Sequence, residues 1–170
     1  QTPWGWAMNF DGEHSDEVRN FFLENALYWL REYHFDGFRL DAIQEIHDQR
    51  AIPFLQQLAD AIAPESEEQH GRIHLIAESN LNDPRVIRSK ELGGFGLSAQ
   101  WNDDFHHSLR ALLTGERTGY YSDFGRTFDL AKAMSEGFVR SGDYSIHRKS
   151  SIGDSSADRP AHQFVVFGQN

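Results

Sequence analysis

The chain has 170 residues, and 26 acidic side chains against 16 Lys and Arg give it a formal net charge of −10. This acidic balance argues against a general nucleic-acid binder, because contact with phosphates requires a basic surface. A hydrophobic fraction of 39% supports a folded core and excludes a disordered chain, and no run approaches the roughly 18 apolar residues of a membrane-spanning helix.

The hydrophobic pattern predicts eight elements in the order helix, strand, helix, strand, strand, helix, helix, strand. Their predicted ranges are residues 16–34, 38–42, 53–62, 74–78, 97–101, 104–113, 128–138 and 163–167. The pair Asp36-Gly37 is typical of a helix end, so the first helix is expected to stop there. The long polar connection over residues 141–162 is typical of a loop that is either functional or mobile.

Helices that alternate with short strands predict an α/β fold, in which crossovers join parallel strands. Four strands are fewer than a doubly wound sheet or an eight-stranded barrel contains. A nucleotide-binding fold has no support, because no glycine-rich phosphate loop follows a strand. The pattern therefore predicts parallel α/β structure and leaves its architecture open.

Two carboxylates stand at the ends of neighbouring predicted strands, where parallel α/β folds place their active sites. Asp41 ends the first strand, and Arg39 shares its face because residues two apart project the same way. A guanidinium stabilises the charge that a carboxylate nucleophile needs. Glu78 ends the second strand after apolar residues, which favour a protonated general acid. Glycoside hydrolysis requires at least one such pair of carboxyl groups.

Each of these residues also has a purely structural interpretation. An isolated Arg-x-Asp on a strand is more often an ion pair than a catalytic group. Glu78 alone could cap a helix or face solvent. The pair His106-His107 after two acids could indicate a metal site, but adjacent helical side chains point about 100° apart, which disfavours joint ligation of one ion. No metal is expected.

Several motifs resemble those of the α-amylase family of glycoside hydrolases. Residues 36–42 (DGFRLDA) are similar to its nucleophile motif, and residues 76–78 (IAE) are similar to its acid/base motif. Residues 164–170 (FVVFGQN) resemble the strand that leads to its Asn-His-Asp motif. Longer stretches, residues 76–85, 99–107 and 112–121, are similar to members of the family that release trehalose.

The resemblance implies a role for each matching residue. Asp41 would be the nucleophile, Glu78 the proton donor and then the base, and Arg39 the partner that orients the nucleophile and borders the substrate. The implied sugar contacts are Gln44, Trp101, Asp103, Asp104, His106, His107 and Asn170. The family usually has His where Gln44 stands, so that contact is a departure from its pattern. Trp101 is equally compatible with stacking on a glucose ring and with packing in a barrel core.

The resemblance also implies the architecture and the reaction. Residues 1–170 would be a partial catalytic domain, a segment of a (β/α)₈ barrel with about four of its eight parallel strands. The family's third catalytic carboxylate would fall after Asn170, and its first motif would precede Gln1. The implied reaction cleaves the α-1,4 bond next to the trehalose end of maltooligosyltrehalose, or of a related α-glucan, without a cofactor.

Two other functions fit the same residues. A branching enzyme would pass the glycosyl unit to a sugar hydroxyl instead of water. A non-catalytic piece would only bind carbohydrate, and the 170-residue chain alone is expected to lack appreciable hydrolase activity. The absence of cysteine and of a secretory pattern near Gln1 predicts a cytoplasmic protein. Its acidic charge and its lack of a long apolar run predict that it binds neither nucleic acid nor membrane.

Overall fold

A parallel sheet of four strands organises the part of the chain that the computed structural model describes, residues 2–3, 5–68 and 73–168. The strands are β1 (Gly37–Leu40), β2 (His74–Ala77), β3 (Ala99–Trp101) and β6 (Phe164–Val165). They pair in the order β1-β2-β3-β6, so each connection crosses over to the neighbouring parallel strand. The α/β fold class and all four predicted strands are confirmed, with shorter bounds.

The described residues also contain the four predicted helices. They are α1 (Ser15–Tyr33), α2 (Phe54–Glu68), α3 (Asp103–Thr114) and α4 (Thr127–Glu136). Asn102 caps α3, because its side chain accepts a hydrogen bond from the Phe105 N–H. Within the described ranges, none of these helices combines the length and apolar character that a membrane crossing requires.

The predicted end of α1 is confirmed to within one residue, but the residue that ends the helix is His34 and not Gly37. The helix stops at Tyr33, and His34 takes the left-handed conformation (φ 54°) with its N–H bonded to the Trp29 carbonyl. Gly37 instead begins β1, where a Cβ atom would meet the His74 carbonyl oxygen at 2.1 Å. The glycine is therefore required by the close approach of β1 to β2 and not by the helix end.

The larger hydrophobic core involves the sheet, α1 and α2. Its fully buried members include Leu30, Leu58 and Leu75. Phe38 and Leu40 pack against this core from one face of β1, as the strand alternation predicts. The other face of β1 is thereby left to Arg39, which points away from the core.

The long polar connection contains a short antiparallel hairpin, formed by β4 (Tyr144–Ser145) and β5 (Ser150–Ser151). Arg148 at its tip donates from Nη2 to the Asn80 carbonyl oxygen at 3.2 Å. Asn80 lies two residues after Glu78, so the hairpin tip touches the segment that follows β2. This part of the connection is defined structure beside the candidate site.

Candidate active site

Arg39 links the two candidate catalytic carboxylates at the carboxyl ends of β1 and β2. Its Nη1 donates to Asp41 Oδ1 at 2.6 Å, and its Nη2 lies 3.8 Å from Glu78 Oε2. The Asp41 side chain is 74% exposed, so it faces open space on its other side. The predicted proximity of Arg39, Asp41 and Glu78 therefore follows from the parallel register, which pairs Leu40 with Ala77.

A strained residue connects the two strand ends. Ala42 follows Asp41 in the left-handed conformation (φ 44°), which is unfavourable for a residue with a Cβ atom. This turn allows the Ala42 N–H to donate to Glu78 Oε2 at 2.6 Å, and the Ile43 N–H donates to the Glu78 carbonyl oxygen. One carboxylate oxygen of Glu78 is thus occupied by the backbone next to Asp41, and Oε1 is left for a substrate.

A cavity of about 750 Å³ opens beside these groups. Its lining is mostly polar and aromatic, and includes Arg39, Glu78, Trp101, Asp103, His106, His107, Tyr120, Asp123, His147 and Arg148. Asp41 is not part of this lining, but its partner Arg39 is. The Arg39 guanidinium lies 4.5 Å from the centre of the Trp101 ring, and Trp101 also contacts Phe167. Trp101 is half-buried and therefore serves both as packing for Arg39 and as a cavity wall.

Asp103 carries the carboxyl with the perturbed acidity in this cavity. Burial, together with the negative charges of Glu78 and Asp104, raises the pKa of Asp103 to about 7, and Arg39 acts in the opposite direction. The apolar residues before Glu78 predict a protonated carboxyl at that position only. The structure adds Asp103, a carboxyl whose pKa lies near neutral pH.

Asp104 borders the cavity but is only 5% exposed. Its Oδ2 accepts hydrogen bonds from Asn82 Nδ2 at 2.8 Å and from the backbone N–H groups of Val139 at 2.7 Å and Arg140 at 2.9 Å. Burial raises the pKa of Asp104, while these donors favour its charged form. Asp104 therefore holds the segment after α4, and the sugar contact implied by the resemblance remains a prediction for a residue at the cavity border.

The two adjacent histidines pack within an aromatic cluster on α3. His106 stacks on Phe167 with ring centres 5.2 Å apart, and His107 stacks on Tyr120 at 4.5 Å. Burial lowers the pKa of His107 to about 4 and also lowers the pKa of His106, so both rings are neutral at pH 7. Both line the cavity, and their contact with sugar remains a prediction. Among the described residues no group of three His, Asp or Glu side chains is arranged to hold a metal ion.

Gln44, another predicted sugar contact, lies outside this cavity. Gln44 lines a second cavity of about 280 Å³, together with apolar residues such as Ile46 and Phe54, and is not part of the cavity beside Glu78. The turn at Ala42 carries the chain toward α2 and takes Gln44 with it. Asn170 lies outside the described residues, so its role remains a prediction.

Sequence reasoning missed the residues that complete the cavity from the far side. Tyr120 belongs to the short helical turn Gly119–Asp123, and His147 and Arg148 belong to the hairpin tip. These residues carry no periodic pattern, and their position depends on a buried anchor, Asp123. The similarity of residues 112–121 to the family indicated the region of Tyr120, and the polar character of the connection over residues 141–162 indicated that of His147 and Arg148.

Known proteins resemble the chain over its whole length, although no family model matches it. The chain is 48% identical over 170 residues to a malto-oligosyltrehalose trehalohydrolase from Saccharolobus solfataricus, covering 100% of this chain and 29% of that protein. It is 43% identical over 169 residues to a protein of the same name from Mycobacterium tuberculosis, covering 98% and 29%. A 1,4-alpha-glucan branching enzyme from Bacillus cereus is 34% identical over 88% of this chain.

A solved structure shares the fold. A crystal structure described as an alpha amylase from Salmonella typhimurium superposes with a TM-score of 0.83 and is 38% identical, covering 100% of this chain and 29% of that one. The predicted resemblance to the α-amylase family and the predicted barrel segment are thereby confirmed. The chain spans about 29% of the length of the trehalohydrolases it matches.

Proposed function

We propose that the chain is part of the catalytic barrel of a retaining glycoside hydrolase that releases trehalose from maltooligosyltrehalose. The observation that carries this proposal is the contact of one guanidinium, that of Arg39, with Asp41 at 2.6 Å and its approach to Glu78 at 3.8 Å. The relatives named malto-oligosyltrehalose trehalohydrolase support it, because their similarity extends over 98–100% of this chain. Residues 1–170 would contribute four consecutive strands of the domain.

The first step would use Asp41 as the nucleophile. Arg39 holds Oδ1, so Oδ2 of Asp41 would attack the anomeric carbon and form a covalent glycosyl ester. The bond from that carbon to the leaving oxygen breaks, and the oxygen takes a proton from Glu78. Because the Ala42 N–H occupies Oε2, the proton would be transferred from Oε1.

The second step would return both carboxylates to their starting forms. Glu78, now without its proton, takes one from a water molecule as that water attacks the same carbon. The ester bond to Asp41 breaks, and the sugar leaves with the configuration of the substrate. Trp101, Asp103, His106 and His107 line the cavity that would receive the neighbouring sugar rings. No cofactor takes part in this scheme.

A branching enzyme is the second candidate, favoured by the 34% identity to the Bacillus cereus protein. Both reactions form the same glycosyl ester, and they differ in whether water or a sugar hydroxyl accepts the glycosyl unit. Product analysis on maltooligosyltrehalose separates them. We expect free trehalose and a shortened maltooligosaccharide, whereas transferred branches without trehalose would contradict the assignment.

A chimera provides the direct test of the catalytic residues. This chain would replace the 170 aligned residues of the Saccharolobus solfataricus relative, and trehalose release would be measured. We expect Asp41→Asn and Glu78→Gln each to lower kcat by at least about a thousandfold, since each removes a group that acts on the reacting bonds. Glu24→Gln, on the exposed face of α1, is the control and should leave kcat within about threefold. A folded chimera in which Asp41→Asn retains its activity would refute the proposed nucleophile.

The 170-residue chain alone is expected to show no trehalose release. Within the described residues, β1 and β6 each pair with one neighbour, so both edges of the sheet lack the partners that close a barrel. The resemblance also puts the third catalytic carboxylate after Asn170. Activity of the isolated chain that disappears in Asp41→Asn would overturn this expectation. We place the parent activity in the cytoplasm, as the cysteine-free composition favours.

A further inference from the structure

We propose that Trp101 is a positioning residue, which holds the Arg39 guanidinium between the two candidate catalytic carboxylates. Its role in catalysis rests on the proposed function, whereas its contact with Arg39 does not. The sequence is compatible with a Trp101 ring that stacks on glucose and with one that packs in a barrel core. The surroundings of the ring favour a third role, in which Trp101 acts on the reaction through Arg39.

The sheet places Trp101 level with both carboxylates. The register of β1 with β2 and of β2 with β3 puts Asp41, Glu78 and Trp101 at the same level on one face. Arg39 lies two residues before Asp41, and β2 separates its strand from β3. The Arg39 side chain must therefore pass over β2 to reach the Trp101 ring, and on the way it comes close to Glu78.

The contact with the ring is compatible with contacts to both carboxylates. The guanidinium carbon of Arg39 lies over the Trp101 ring, 4.5 Å from its centre. A guanidinium can use its face for such a contact, because its N–H groups lie in its plane. Nη1 still donates to Asp41 Oδ1 at 2.6 Å, while Nη2 lies 3.8 Å from Glu78 Oε2.

The ion pair alone would hold this arrangement weakly. The Arg39 side chain is 41% exposed and that of Asp41 is 74% exposed. An exposed ion pair gains little, because it restricts two mobile side chains in water. Packing over a half-buried ring adds a cation–π attraction and restricts the rotamers of Arg39. Without the ring, we expect Arg39 to stay paired with Asp41 and to move away from Glu78.

A row of rings fixes Trp101 in turn. Phe167 packs against Trp101 with ring centres 4.8 Å apart, and His106 stacks on Phe167 at 5.2 Å with an angle of 19°. His106 lies on α3 and is buried, so the row connects the Arg39 guanidinium to that helix. The orientation of the Trp101 ring is therefore set by protein contacts before any sugar binds.

NMR of the 170-residue chain tests the contact without any measurement of activity. Protons that lie over an aromatic ring resonate upfield, so the side-chain protons of Arg39 should be shifted upfield in the wild-type chain. We expect Trp101→Leu to abolish this shift and Trp101→Phe, which keeps an aromatic face, to retain part of it. Phe167→Leu removes the support of the ring and should reduce the shift, which keeps the contact testable if Trp101→Leu does not fold.

Trp29→Leu is the matched control. Trp29 is also half-buried and stacks on a phenyl ring, that of Phe35 at 5.3 Å, but it does not line the cavity. The same substitution at this position should leave the Arg39 side-chain protons where they are in wild type.

Trehalose release by the chimera with the Saccharolobus solfataricus relative tests the role in catalysis. We expect Trp101→Leu to lower kcat by about tenfold to a hundredfold and to leave KM within about threefold, because a displaced Arg39 misorients the nucleophile without removing a sugar contact. Trp101→Phe should restore kcat to within about fivefold of wild type. Trp29→Leu should leave both constants within about twofold.

Two results would overturn the proposal. One is an Arg39 side chain whose proton shifts are the same in wild type, Trp101→Leu and Phe167→Leu. The other is a Trp101→Leu chimera in which KM rises and kcat is unchanged, since a residue that only binds sugar has this effect. A ring-dependent Arg39 shift, together with a wild-type chimera that releases no trehalose, would instead reject the proposed function and retain the contact.

Discussion

Two regions of the molecule are stabilised in different ways. The aliphatic region, formed by α1, β1, α2 and β2, surrounds the larger core of Leu, Ile, Phe and Ala side chains. The polar region, formed by α3, α4 and the hairpin, has a much smaller apolar cluster of Ala111, Phe124, Ala133 and Val139, with Phe105 packed against it. Its other buried side chains include three carboxylates, Asp104, Asp123 and Asp129.

The three carboxylates of the polar region accept hydrogen bonds from backbone N–H groups. Asp104 accepts from the N–H groups of Val139 and Arg140. Asp123 accepts from those of Ile146 and His147, and Asp129 accepts from that of Arg126. Such bonds fix irregular backbone that no repeating ladder satisfies. The strand ends that carry Asp41 and Glu78 are therefore positioned by apolar packing, whereas the cavity wall formed by the polar region is positioned by individual polar contacts.

The largest expected effect tests the one place where the aliphatic region also depends on a buried charge. Arg19 on α1 is 2% exposed and donates to Asp48 at 2.6 Å, to Gln57 and to two carbonyl oxygens. Arg19→Met should lower the free energy of unfolding by about 3–5 kcal/mol, because it leaves the Asp48 carboxylate buried without its partner. Urea denaturation measures the change.

The matched control lies on the same helix. Arg31 is exposed in its ion pair with Glu65, so Arg31→Met should leave the free energy of unfolding nearly unchanged. The double variant Arg19→Met/Asp48→Asn should recover part of the loss, since the unpaired charge is then absent. Equal effects of Arg19→Met and Arg31→Met would show that apolar packing alone supports the aliphatic region.

A smaller and more local effect is expected in the polar region. Asp123→Ala removes the acceptor of the Ser145 hydroxyl and of two N–H groups at the hairpin tip. We expect a loss of about 1–3 kcal/mol, concentrated in the hairpin, because few apolar contacts there would spread it. Hydrogen exchange of the Ile146 amide should accelerate at least about tenfold, while amides in the centre of α1 remain protected.

Asp143→Ala is the control for this prediction. Asp143 is an exposed acid in the same connection, and its contact with the Ser141 N–H is long at 3.4 Å. Its removal should leave the Ile146 amide unchanged. If Asp123→Ala accelerated hydrogen exchange of the hairpin and α1 amides to the same extent, the hairpin would not be stabilised locally. The two regions would then unfold as one cooperative unit.

The same contrast explains how far the sequence could predict the structure. All four parallel strands, all four helices and the pairing of Asp41 with Arg39 follow from periodic patterns, which reflect burial on one face. The sugar contact of Asp104 is implied by the family resemblance alone, and its hydrogen bonds to donors 35 residues away follow no pattern that the sequence shows. His147 and Arg148 depend on single non-local hydrogen bonds and Tyr120 depends on ring contacts, and neither kind of contact leaves a repeating signal in a sequence.

An effect that appears only as a change with pH concerns the acid that lies where the two regions meet. Asp103 has a pKa of about 7 in the folded chain, compared with its ordinary value of 3.8, chiefly because it is buried. As the pH rises from about 4 to about 7, the unfolded state releases this proton first, so Asp103 lowers the stability of the fold over that window.

Asp103→Asn should remove this pH dependence. The free energy of unfolding of the variant minus that of wild type should increase by about 1–3 kcal/mol from pH 4.5 to pH 8. Urea denaturation at both pH values measures this difference. His107, with its pKa lowered to about 4, contributes the opposite slope, but it is present in both proteins and cancels in the difference. Glu24→Gln on the exposed face of α1 should show no comparable gain. An equal pH dependence in Asp103→Asn and wild type would mean that solvent reaches Asp103, and that the polar wall does not shield the acids beside Glu78.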